Sequence, residues 1–117
     1  MYWGYHLILD CAGCELGAIT TEDHIRVFSL TLVDRINMDA VGPPHIELLL
    51  EGDANEGYSL MQMISTSNIT AHFVTNTCEA YIDVFSCKNF DQKTVRETVE
   101  QFFKPSSIKT TFLHRQA

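Results

Sequence analysis

Serine, histidine and cysteine recur in one stretch of this chain, at spacings that invite chemistry. Between Gly57 and Lys88 lie Gly57-Tyr58-Ser59, Ile64-Ser65-Thr66-Ser67-Asn68, Ile69-Thr70-Ala71-His72 and Asp83-Val84-Phe85-Ser86-Cys87-Lys88. A hydroxyl or thiol beside an imidazole is the raw material of nucleophilic catalysis. A thiol within reach of a carbanion can also return a proton to it, as a general acid. Residue types alone do not choose among these, because Ser and His in a β-rich protein are commonly just hydrogen-bonding side chains.

A second group is Cys11-Ala12-Gly13-Cys14. A zinc site needs a second Cys pair or His ligands at matching spacing. Cys78 and Cys87 are nine positions apart, which is no standard ligand pair. A thioredoxin-like site needs its CxxC to open a helix that stabilises the thiolate. Glu15-Leu16-Gly17 follows here and reads as a loop. The four cysteines are therefore read as free thiols, the Cys11/Cys14 pair as structural, and no metal is expected.

Other polar residues call for less. His6, His24, His45 and His114 read as packing or surface histidines. Glu47, Glu51, Asp53 and Glu56 read as a solvated edge. Met61 and Met63 share a strand face and read as core or interface.

These groups must be positioned by a chain of 117 residues, enough for one compact domain, 1–117. The formal net charge of −7 argues against binding a phosphate backbone, which runs on Lys and Arg. It suits a cationic small molecule. No apolar run approaches the ~18 residues of a membrane span. The start, Met1-Tyr2-Trp3-Gly4-Tyr5, lacks the basic-then-apolar pattern of a signal peptide, so a cytoplasmic location is expected.

Hydrophobic periodicity gives the order β-α-β-β-β-β-α-β. His6–Cys11 reads as a strand. Thr20-Thr21-Glu22-Asp23 reads as a helix start with a hydroxyl cap and acids in the first turn. Ile25, Phe28, Leu32 and Ile36 carry that helix from Thr21 to Asn37. Further strands are expected at Ile46–Leu50, Tyr58–Ser65, Asn68–Val74 and Ala80–Phe85, with a turn at Thr75-Asn76-Thr77. Asp91 should cap a second helix with Val95, Val99, Phe102 and Phe103 on one stripe, ended by Pro105. Ser107–His114 closes the chain as a strand. Short links favour antiparallel pairing. Two helices on one face of such a sheet make an α+β two-layer sandwich. The bare face would be covered in an αββα homodimer, or a higher homo-oligomer, packed sheet to sheet.

The order and spacing of the motifs resemble the bacterial and archaeal S-adenosylmethionine decarboxylases over nearly the whole chain. Gly4-Tyr5-His6-Leu7-Ile8-Leu9-Asp10-Cys11 looks like the family's opening strand, and Gly13-Cys14 continues it. The likeness resumes at Gly57 and runs through Asp83-Val84-Phe85-Ser86-Cys87-Lys88-Asn89-Phe90-Asp91. From Glu15 to Glu56 it is mainly one of pattern and length.

The resemblance implies a self-cleaving proenzyme. Ser67 matches the serine whose hydroxyl attacks the preceding carbonyl, that of Thr66, and turns the amide into an ester. Elimination then frees Met1–Thr66, and residue 67 becomes a pyruvoyl group with loss of ammonia. His72 matches the histidine that moves the proton in that elimination. Ser59 matches a serine that assists processing, and Cys87 the catalytic thiol that reprotonates the product. The pyruvoyl ketone would serve as an electron sink for decarboxylating S-adenosylmethionine, toward spermidine. The chain departs from the family at two places. Thr66-Ser67-Asn68 stands where the family carries Glu-Ser-His, and Phe73-Val74-Thr75-Asn76 where it carries Thr-aromatic-Pro-Glu. Two alternatives follow: pyruvoyl chemistry on another amino acid such as ornithine or arginine, or a non-processing homologue that binds S-adenosylmethionine or a partner, or cleaves it by another route. Ser67 and His72 are five positions apart, so a regular strand would set them on opposite faces. Ser67 is therefore expected in a turn or bulge ahead of the strand that carries His72.

Overall fold

A computed structural model describes all residues, Met1–Ala117. Its elements run β1 (Gly4–Ala12), α1 (Leu16–Ile19), α2 (Glu22–Arg35), β2 (His45–Leu49), β3 (Gly57–Ile64), β4 (Ser67–Val74), β5 (Glu79–Ser86), α3 (Gln92–Phe103) and β6 (Ser107–Arg115). The expected elements are present, with ends shifted by one or two residues. The loop expected after Cys14 instead winds into the short helix α1.

The strands form one antiparallel sheet in the order β2-β3-β4-β5-β1-β6. Strand alternation decides which side chains meet the helices. Leu7, Leu9, Leu60, Ile69, Ala71, Phe73, Ile82 and Val84 are buried on one face. Over them lie Ile25, Phe28 and Leu32 of α2 and Val95, Val99 and Phe103 of α3, all buried. Phe103 anchors this layer, 4.7 Å from the Phe28 ring and 4.9 Å from that of Phe73. The structure is thus the α+β sandwich expected from periodicity.

The helix ends are set locally. Asp91 accepts the N–H of Lys93 at 3.0 Å, the N-cap read from the sequence. Lys104 closes α3 in the left-handed region just before Pro105. Thr21 occupies the N-cap of α2, but its hydroxyl does not cap. It donates back to the Gly17 carbonyl at 2.7 Å, and Thr20 does the same to Leu16. The short helix α1 runs almost directly into α2, so those carbonyls compete successfully for the hydroxyls.

The opposite face of the sheet carries no helix, and cross-strand register sorts its side chains into three rows. Met63, Asn68, Phe85, His6 and Leu113 form the first. His45, Met61, Thr70, Asp83, Ile8 and Thr111 form the second, and Glu47, Ser59, His72, Tyr81, Asp10 and Lys109 the third. Met61, Met63 and Tyr81 are 60%, 62% and 41% exposed. The two methionines therefore sit outside the core of this chain, on the open face.

Candidate functional site

Ser67 begins β4 directly after the two-residue turn Ser65-Thr66 and pairs with Ser86, so it lies in the His72 strand itself and not in the turn or bulge expected ahead of it. It is the one residue inside a strand with a positive φ, 156°. Its Oγ accepts a hydrogen bond from the Asn68 amide at 3.0 Å. The peptide carbonyl before it is also held: the backbone N–H of Cys87 donates to the Thr66 oxygen at 3.0 Å. Ser86, the last residue of β5, is the register partner of Ser67 and fully buried. Its hydroxyl donates to Thr66 Oγ1 at 2.7 Å and accepts the N–H of Lys88 at 3.0 Å. Thr66 Oγ1 points on to Met38 Sδ at 3.4 Å. The turn and the exposed Cys87 are thereby fastened together at one end of the sheet.

This arrangement has a definite chemical capacity. A hydroxyl on residue 67 stands next to a carbonyl whose oxygen already faces a backbone donor. If the hydroxyl adds to that carbonyl, the negative charge develops on the Thr66 oxygen, where the Cys87 N–H stabilises it. A cavity of about 460 Å³ lined by Trp3, Phe85 and Arg115 opens at the same end. Arg115 lies 5.0 Å over the Phe85 ring, and Trp3 is 5.9 Å from it. A volume in that range suits a small-molecule ligand.

His72 and Ser59 form a second cluster at the other end of β3 and β4. Ser59 Oγ is 2.7 Å from His72 Nδ1, and His72 Nε2 is 3.0 Å from the Asn55 carbonyl. A carbonyl can only accept, so Nε2 carries a proton, and in the neutral ring Nδ1 then accepts from the Ser59 hydroxyl. The ring is therefore fixed in one tautomer. Gly57 lets this end close, because a Cβ there would run into the Phe73 carbonyl.

The two clusters do not meet within one chain. Five rises separate Ser67 from His72, a span of about 16 Å at the usual rise per residue. Cys87 lies with Ser67; Ser59 lies with His72. Asp83 is half-buried on the open face, bound to His6 Nε2 at 2.9 Å.

Cys11 and Cys14 are buried in the core, and the Cys14 N–H donates to the Cys78 carbonyl at 2.8 Å. Burial, with the neighbouring Cys14, pushes the Cys11 thiol up to about 12. Burial, with Cys78 nearby, raises Cys14 to about 11. Both thiols are held protonated, which opposes a nucleophilic role. Glu47, Glu51 and Asp53 are exposed as expected, while Glu56 is half-buried and accepts the Gly52 N–H at 2.8 Å.

Sequence reasoning passed over Ser86, Asn55 and the backbone N–H of Cys87, and met Asn68 only as a departure from the family's pattern. Ser86 lies inside the motif that marks Cys87, so its place was visible. The backbone donor and the Asn55 carbonyl carry no side-chain signal at all.

A family model described as S-adenosylmethionine decarboxylase matches residues 5–116. An S-adenosylmethionine decarboxylase proenzyme of Clostridium botulinum (strain Loch Maree / Type A3) is 25% identical over 111 residues, covering 92% of this chain and 91% of its own. The proenzyme of the same name from Pyrococcus abyssi is 29% identical over 101 residues, covering 85% of this chain and 69% of its own. The crystal structure of the adenosylmethionine decarboxylase from Aquifex aeolicus matches the fold with a TM-score of 0.83 at 18% identity, over 99% of this chain and 92% of that one.

Proposed function

The chain belongs to the S-adenosylmethionine decarboxylase family, and from that premise we propose that it cuts itself between Thr66 and Ser67 and decarboxylates S-adenosylmethionine for spermidine synthesis. The observation that carries this reading is the Cys87 N–H held on the Thr66 carbonyl, beside the Ser67 hydroxyl. In the first step Ser67 Oγ adds to that carbonyl and the C–N bond breaks, leaving an ester and a free amine. The Cys87 N–H bears the charge that builds on oxygen. Removal of the residue 67 α-proton then expels the Thr66 carboxylate, and hydrolysis with loss of ammonia leaves the pyruvoyl group. That group supplies a ketone as electron sink for the bond that releases CO₂. The Cys87 thiol, at the exposed rim, is suited to return a proton to the product.

His72 has the chemistry for proton removal, yet it stands about 16 Å from Ser67 of its own chain. A second copy resolves this. Two sheets packed open face to open face, about a two-fold axis along the middle row, set the Ser67 end of one β4 over the His72 end of the other. The exposed Met61, Met63 and Tyr81 fit such a role, since apolar patches on a sheet face mark contact surfaces. The result is an αββα homodimer with two sites, each completed by Ser59 and His72 of the other subunit.

Intact mass tests the cut. Two chains separating after Thr66, with residue 67 lighter by its lost nitrogen, are expected. A single 13.3 kDa species after long incubation refutes it and favours a non-processing S-adenosylmethionine-binding homologue. Release of CO₂ from S-adenosylmethionine, with no putrescine or agmatine from ornithine or arginine, tests the substrate.

A further inference from the structure

His6 lies in the first row of the open face, and its environment is half finished. Nε2 is 2.9 Å from Asp83 Oδ1. Nδ1 is buried and has no hydrogen-bond partner. A buried polar nitrogen without a partner is destabilising, and such groups in folded proteins are normally satisfied. Nothing else in this chain reaches it: the Phe85 ring stands edge-on at 5.7 Å.

Asp10 presents the converse. It lies on the same strand and face, two rows along, between Tyr81 and Lys109. It is half-buried and makes no hydrogen bond or ion pair in this chain. Packing a second sheet onto this face would take its carboxylate further from water, which is unfavourable unless a partner donates to it.

We infer that His6 of each subunit binds Asp10 of the other, so that two reciprocal His6–Asp10 contacts set the register of the homodimer. The inference rests on the sheet-to-sheet assembly proposed above. A two-fold axis along the middle row exchanges the first and third rows while keeping each strand over its own counterpart. The operation that brings Asn68, next to Ser67, over His72 on β4 brings His6 over Asp10 on β1. It also brings Phe85 over Tyr81, an aromatic pair. Asp83 accepts a hydrogen bond from Nε2–H, and the facing Asp10 carboxylate accepts one from Nδ1–H, so both ring nitrogens are paired. The occupant is a second copy because this chain carries both halves of the contact at symmetry-related positions. A one-residue slip would bury both carboxylates unpaired.

Sedimentation and cross-linking together test it. Two variants, His6→Cys and Asp10→Cys, are made in a Cys87→Ser background that removes the exposed thiol. Facing sheets lie about 10 Å apart, beyond the Cα separation of about 7 Å that a disulfide spans, so a short bismaleimide is the linking reagent. Each variant carries only one of the two introduced thiols, so a link between positions 6 and 10 can form only between chains. Treated alone, each variant should show only the background level of linked dimer; mixed, they should link. A separate Asp10→Asn variant should dissociate at least tenfold more readily. If the protein sediments as a monomer throughout, the assembly itself fails, and the proposed trans site with it. If it is dimeric but the mixture does not link, or either variant links alone, the His6–Asp10 register is wrong while the assembly stands.

Discussion

Mixing two inactive chains should restore self-cleavage. Ser67→Ala removes the nucleophile, and His72→Ala removes the imidazole fixed between Ser59 and Asn55. A proton-transferring group must come within about 3 Å of the atom it serves. The span of about 16 Å along β4 exceeds what any rotation of a histidine side chain can close. His72 therefore acts on the other subunit or not at all. Losing a general acid–base group typically slows a step by about 10²–10⁴-fold, so His72→Ala alone should remain essentially uncut over the time wild-type protein matures. In an equimolar co-expression, random pairing puts about half of the His72→Ala chains opposite a Ser67→Ala partner that supplies an intact histidine. About half of the His72→Ala chains should then appear as two fragments by intact mass, while the Ser67→Ala chains stay whole. Recovery near zero in a proven mixed dimer refutes the trans arrangement. So does full-rate cleavage of wild-type protein diluted until it sediments as a monomer.

Ser86→Ala should slow maturation and destabilise the fold by about 1–3 kcal/mol, because it strips the buried hydroxyl from both Thr66 Oγ1 and the Lys88 N–H; urea unfolding of the uncut form reads the second effect. Gly57→Ala should fold poorly or melt well below wild type, since its methyl group meets the backbone carbonyl of Phe73 rather than a side chain that could move. Thiol labelling should find Cys87 first, with Cys11 and Cys14 unreactive until the protein unfolds. The same two thiols give a pH signature. Folded, they hold their protons up to about 12 and about 11, against an ordinary 9.0, so the native state binds more protons than the unfolded one between these values. Stability should accordingly be unaffected by them below pH 9 and fall as the pH rises beyond it. A melting temperature that rises over that range contradicts the burial of these thiols.

Most of the fold could be read from periodicity, because the long helices and the central strands bury regular stripes. Ile25, Phe28 and Leu32 announce α2, and Ile69, Ala71 and Phe73 announce the buried face of β4. The exception is α1, whose four residues are too few to show a helical period. The hydroxyls of Thr20 and Thr21 were misleading for a related reason. A Thr just before an acidic turn looks like a cap, and only the preceding turn of helix reveals the competing carbonyls. At the site, side chains were legible and backbone was not. Ser67, His72, Ser59 and Cys87 stand out by type and spacing. The N–H of Cys87 and the carbonyl of Asn55 are common to every residue and become visible only through register.

The five-residue interval between Ser67 and His72 carries a physical lesson about symmetric sites. Within one strand, an odd separation flips the side chain to the other face, and five rises carry it far along the sheet. Within a single chain, a mechanism that needs both groups at one carbonyl therefore conflicts with the strand that holds them. Ser67 opens β4 at its turn end, opposite Ser86, and the distance to His72 remains. A two-fold axis removes the distance without altering either chain, since it adds a reversed copy of the same interval. The groups that cluster at opposite ends, nucleophile and thiol at one and imidazole and hydroxyl at the other, then become complementary halves. That division explains why Cys87 is tied to Thr66 while Ser59 is tied to His72, with no hydrogen bond joining the two pairs in a single chain.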